Sequence, residues 1–156
     1  ATSTDHPEES VHNVLSAETR VLDSFFKLCY WSSKGSEKRT ATDALVFRLR
    51  APLAVVTAVQ IRPFEAHFQR GSPIYAPQTV RFGFGTEEEC ACEDAGGWNW
   101  ASDRFPMDQT NELQTFHLPR GALAVGGYLR VELAGRTQRQ EIDDLYYVCL
   151  SHVKVV

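Results

Sequence analysis

The chain has 156 residues, 43% of them hydrophobic and 23% charged, with a formal net charge of -4. That length fits a single domain with one core, burying roughly 68–70% of the surface its unfolded chain exposes. An acidic balance supplies no basic stripe for nucleic acid, and no apolar run approaches the ~20 residues that span a bilayer, so neither partner is expected.

Residues 1–13 are polar without periodicity, which predicts a flexible N-terminal segment ahead of one domain over 14–156. The start Ala1–Ser10 has neither the basic nor the apolar part of a secretory signal, and the expected location is cytoplasmic or nuclear. Val14, Leu15, Val21, Leu22, Phe25 and Phe26 recur at near-helical spacing, predicting a short N-terminal helix over 14–28. Beyond Thr42 the period changes to two. Leu45, Phe47 and Leu49 alternate with Arg48 and Arg50, then Val55, Val59 and Ile61 mark a second strand ended by Pro63.

Gly71, Pro73 and Pro77 make the next stretch a structured connection. Val80, Phe82 and Phe84 then alternate with Arg81 and Gly83 as a strand with an aromatic inner face. Residues 85–112 read as a long loop with an acidic, solvated part, Glu87–Asp94, and a short strand near Trp98-Asn99-Trp100, whose two indoles would share one face. Phe116 and Leu118 face one way and His117 the other, and Pro119-Arg120-Gly121 is expected to turn the chain. Short strands at hairpin-like intervals argue for a mainly β fold, an antiparallel β-sandwich.

The four cysteines do not read as a disulfide framework in a chain this long. Cys29 and Cys149 sit among apolar and aromatic residues and behave as small hydrophobes. Cys90 and Cys92 lie between acidic residues, without the further ligands a metal would need. No metal, cofactor or catalytic residue is expected, since there is no nucleophile motif, zinc motif or phosphate loop.

Leu129, Val131 and Leu133 share one face of a strand while Arg130 and Glu132 share the other. A second apolar run begins at Leu145, so the polar stretch between them projects as a loop. Its Arg136, Gln138, Arg139, Gln140 and Glu141 offer donor forks, amides and a carboxylate suited to a polypeptide. Trp98 and Trp100 add aromatic area of the kind enriched at binding hot spots. The plainer reading of the arginines and Glu141 is a surface ion-pair cluster, and that of Trp31 is core.

Several blocks keep the order found in known proteins. Tyr30–Ser36, Leu45–Ile61, Tyr75–Phe82 and Gly127–Val155 resemble the galactose-binding-like (discoidin or DOC-like) jelly roll. Val14–Phe26, Cys29–Ser36, Ser72–Tyr75, Leu133–Glu141 and Tyr146–Val153 are similar to a family of plant F-box proteins, in the region after the F-box. The first resemblance implies jelly-roll connectivity with ligand contacts on loops at one end. It adds Trp31, Ser32 and Lys34, with Arg70 and Tyr75 of the 70–75 connection, to the candidate ligand-binding residues. The second implies a noncatalytic domain that recognises a protein substrate or degron for a ubiquitin ligase, with a Skp-type adaptor held by an F-box outside this chain. A carbohydrate-binding module for a glycan and an architectural subunit are the alternatives.

Overall fold

The computed structural model describes residues 1–15 and 29–156. The helix expected over 14–28 lies outside those residues apart from its first two, which end a 3-10 turn at Val11–Leu15 with Val14 in the core.

Alternation of apolar and polar side chains builds two antiparallel sheets whose apolar faces meet. In chain order the strands are β1 (Trp31–Ser32), β2 (Thr42–Arg48), β3 (Leu53–Pro63), β4 (Pro77–Gly85), β5 (Trp100–Ala101), β6 (Phe105–Pro106), β7 (Gln114–Val125), β8 (Tyr128–Arg136), β9 (Gln138–Arg139), β10 (Tyr146–Tyr147) and β11 (Cys149–Val155). One sheet has the order β1-β11-β3-β7; the other runs β2-β8-β4-β5, with β6 also on β4. In the second sheet Leu45 and Phe82 flank Val131, and Phe47 and Phe84 flank Leu129. All six are buried, as the alternation predicts. Each such side chain contributes about 1.5–3 kcal/mol when fully withdrawn from water. The expected mainly β, antiparallel sandwich is the observed fold.

Three local expectations are corrected. Val55 is 65% exposed on the outer face, while its neighbour Val56 is buried with Val59 and Ile61. The cause is a bulge. Val56 pairs with Ala122 but Ala58 pairs with His117, so residues 118–121 face only Thr57 and the face parity of β3 changes there. The same bulge absorbs Pro119, which has no N–H to donate, and Pro119-Arg120-Gly121 is therefore part of β7 and not the turn. The turn is Gly126-Gly127, both at positive φ.

Third, the acidic stretch is not all loop. Glu87–Ala91 form a short helix, α1, closed by a capping box in which the Thr86 hydroxyl accepts from Glu89 N–H and the Glu89 carboxylate accepts from Thr86 N–H. Three glutamates in its first turn suit the positive end of the helix dipole. The helix buries Cys90 and leaves Cys92 exposed; all four cysteines are free thiols.

Candidate recognition site at the loop end

Leu129, Val131 and Leu133 point into the core, so β8 is a rigid base for the chain beyond Arg136. There β9 and β10 pair as a small hairpin, Arg139 opposite Tyr146 and Gln138 opposite Tyr147. Its tip is closed by Gln140 N–H donating to Leu145 O (2.8 Å) and Asp144 N–H donating to Gln140 O (3.0 Å), with Asp144 at φ 64°. Arg139 folds back on this tip. It pairs with the Asp144 carboxylate, donates from Nε to Asp144 O (2.8 Å), and lies over the Tyr146 ring at 5.6 Å. Glu141 and Ile142 are left outside, and Ile142 is 90% exposed.

The segment between β3 and β4 faces this hairpin. Tyr75 N–H donates to Phe64 O, Ala66 N–H to Pro73 O and Ser72 N–H to Gln69 O, all at 3.0 Å, which folds residues 64–75 back on themselves. The Tyr75 hydroxyl, otherwise buried without a partner, donates to Gln69 Oε1 at 2.5 Å. At the end of this fold Phe68 is 72% exposed. Between the two loops lies a cleft of about 290 Å³, walled by Phe68, Gln69, Arg70 and Pro73 on one side and by Gln138–Ile142 on the other.

A second cavity of about 190 Å³ opens beside the first and shares Phe68, Gln69 and Gln140 with it. Its remaining wall comes from Tyr30, Ser32, Phe64, Ala66, Tyr75, Tyr147 and Cys149 and from the N-terminal residues Asp5, His6 and Glu9. Those N-terminal residues are held in place by hydrogen bonds. Thr2 N–H donates to Ala44 O (2.9 Å), Trp31 Nε1–H to Ser3 O (3.1 Å) and Asp5 N–H to Ser32 O (3.1 Å).

The structure thus gathers Arg70, Gln138, Arg139, Gln140 and Glu141 at the outer cleft, and Ser32 and Tyr75 at the inner one. It does not place the other five there. Trp31 is fully buried in the core. Arg136 is also buried, paired with Asp43 at 2.5 Å and donating from Nη1 to Lys34 O (2.7 Å) and Tyr146 O (2.6 Å). It ties β2, β8 and the two loops together and has no free face for a ligand. Lys34 is exposed and lines neither cavity.

Trp98 and Trp100 do not share a face. Trp98 covers Gly83 on the outside of the sheet, where any side chain would collide with the indole: a Cβ there would sit 2.3 Å from the ring. Arg81 and Arg130 each lie 5.4 Å from its centroid, and its Nε1–H donates to Cys92 O (3.1 Å). Trp100 instead packs on Phe84, 5.3 Å between centroids. Alternate spacing put the two indoles together because it presumes a continuous strand from Trp98, whereas β5 begins at Trp100.

Sequence reasoning missed Phe68, Ile142, Asp5, Glu9, Tyr30 and Tyr147. Ile142 carried a signal, as a lone large aliphatic inside a polar loop. Glu9 carried none, because nothing local distinguishes it from the other acidic residues of the first ten.

Charge around the inner cavity is negative. Burial pushes the Cys149 thiol up to about 12, with Glu9 and Asp5 adding to the effect, so it stays neutral. The Tyr30 hydroxyl is pushed up by burial and then by its hydrogen bond to Glu9. Burial does the same for Tyr147, with its hydrogen bond to Asp143 the next cause.

No family model matches the chain. The F-box protein At4g00755 of Arabidopsis thaliana is 42% identical over 173 aligned positions, covering 99% of this chain and 45% of that protein. The chain therefore spans less than half the length of this relative. Among solved structures, the family 32 carbohydrate-binding module of NanJ from C. perfringens, in complex with galactose, superposes with a TM-score of 0.53 over 81% of this chain and 74% of that one. The fold is the galactose-binding-like jelly roll. At 10% identity the likeness to that module is one of architecture. The F-box relative is similar in sequence across nearly the whole domain, loops 64–76 and 137–147 falling within the region compared.

Proposed function

We propose that this domain is a noncatalytic recognition module that captures a segment of a protein substrate for an F-box ubiquitin ligase, through the cleft between residues 68–73 and 138–142. Its Skp-type adaptor binds an F-box outside this chain, in the cytoplasm or nucleus. The carrying observation is the pairing of two exposed apolar side chains, Phe68 and Ile142, across a cleft with the amides and charges of Gln138, Gln140, Arg70 and Glu141. An apolar anchor gives a bound segment its affinity and the polar groups fix its register, which is the economy of a peptide site. Similarity to an F-box protein supplies the ligase context.

The test is affinity purification of the full-length product, wild type against Phe68→Ala/Ile142→Ala, with the recovered proteins identified by mass spectrometry. The reading expects a Skp-type adaptor from both forms and a substrate from the wild type alone. Recovery of identical protein sets from the two forms rejects the cleft. Selective hits on a glycan array, with no protein lost in the double variant, would replace the reading by a carbohydrate-binding one.

A separate feature bears on the architectural alternative. Leu53 pairs with Val125 and Val55 with Leu123 across β3 and β7, and all four are exposed on the outer sheet face away from the cleft. An apolar ladder of this kind suits contact with another protein surface.

A further inference from the structure

The inner cavity holds a group that packing alone does not call for. Glu9 lines it, is 8% exposed, and accepts from the Tyr30 hydroxyl at Oε1 (2.9 Å), while Oε2 has no hydrogen-bond partner among the described residues. A buried carboxylate oxygen left without a donor is costly, and a donor from outside the chain would recover that cost. The aromatic rings point to what kind of donor. Phe64 stacks on Tyr30 at 3.9 Å between centroids and approaches Phe68 at 6.3 Å, and Tyr75 and Tyr147 bring the aromatic residues in the wall to five. Ring faces attract cations, the more so where water is excluded.

The charged groups facing the space favour the same sign. Asp5 is a second carboxylate in the wall, and among the described residues His6 is the only basic one there. Arg136, behind the wall, is already neutralised by Asp43, and Arg139 in the outer cleft is paired with Asp144. Arg70 of the outer cleft is exposed and has no ion-pair partner among the described residues.

Resting on the peptide-recognition reading of the outer cleft, we infer that the inner cavity is a cation subsite, taking a lysine or arginine side chain of the captured protein segment with Glu9 as its counter-ion. The two cavities are adjacent, with Phe68, Gln69 and Gln140 in the wall of each, and on this proposal a single extended segment lies across them, with an apolar side chain at Phe68 and Ile142 and a basic one at Glu9.

The test uses the purified chain on an array of random-sequence peptides, with each hit resynthesised with citrulline for arginine or norleucine for lysine. The expected result is a basic residue at a fixed place in the hits. Its neutral replacement then weakens binding about tenfold or more, and Glu9→Gln weakens the basic peptide equally while making the two peptides indistinguishable. Glu9→Gln keeps an acceptor for Tyr30 and removes an unpaired buried charge, so its Tm should hold or rise as binding falls. Should that variant misfold, Asp5→Asn serves in its place, with a smaller loss expected. Hits without a basic residue, or equal binding of the neutral analogues, overturn the cation subsite and leave the outer cleft standing. An array with no hits overturns the peptide-recognition reading and the subsite with it.

Discussion

Two regions of this molecule combine aromatic rings with arginines, and they end in opposite states. On the outside of the five-stranded sheet, Trp98 lies on Gly83 with Arg81 and Arg130 against its ring, its N–H bonded to Cys92 O. Arg130 donates to Cys90 O (2.8 Å), and Glu132 beside it is paired with Arg104. At the loop end, Phe68 and Ile142 stand in solvent and Glu9 keeps an oxygen unpaired among the described residues. Residue type marks both regions as candidates for binding. What separates them is exposure: Trp98 and Arg130 are buried under their own chain, with Arg130 Nε also lacking a hydrogen-bond partner among the described residues, whereas Phe68 and Ile142 are open to a partner.

Substitutions can break or sharpen this contrast. Arg136→Ala should have the largest effect, because it strands the buried Asp43 carboxylate; we expect a loss of about 3–5 kcal/mol in chemical denaturation. A loss under about 1 kcal/mol would mean that Asp43 is satisfied without it. Trp98→Ala comes next, at about 3 kcal/mol, since it uncovers Gly83 and removes the ring from two guanidinium groups. Peptide capture by this variant, measured by fluorescence anisotropy below its Tm, should match the wild type. If capture fell with the fold intact, the closed region would be part of the site after all.

Phe68→Ala and Ile142→Ala should reverse that pattern. Each is expected to move stability by less than about 0.5 kcal/mol, as exposed side chains do, while costing capture about tenfold. Arg139→Ala should also be mild in stability, about 0–1 kcal/mol, because its pair with Asp144 is solvent-exposed. Set against Arg136, it measures what burial alone does to the same side chain three positions away.

The strands of the core were legible from alternation. Leu45 and Phe47, Val80, Phe82 and Phe84, and Leu129, Val131 and Leu133 all face inward as their spacing requires, because a period of two is imposed by the pleat itself. The same rule misplaced Val55, since a bulge is a property of the pair β3 and β7 and leaves no mark in β3 alone. At the loop end, residues 138–141 and Arg70 were legible as hydrogen-bonding groups between turn signals, and they meet at one cleft. Arg136 was read with them because its neighbours in sequence are polar, but its neighbours in space are Asp43 and two carbonyl oxygens.

By itself, then, the sequence determined the period of each strand, the sign of its faces and the polar character of the connections, all of which depend on residues a few positions apart. The tertiary structure decided which polar groups are consumed in closing the fold and which remain for a partner. Pairing of Arg136 with Asp43 spans 93 positions, and the wall around Glu9 joins residues from Asp5 to Cys149. Such contacts arise only when the sheets pack, and the free energy of a buried charge is fixed by the neighbours that packing supplies.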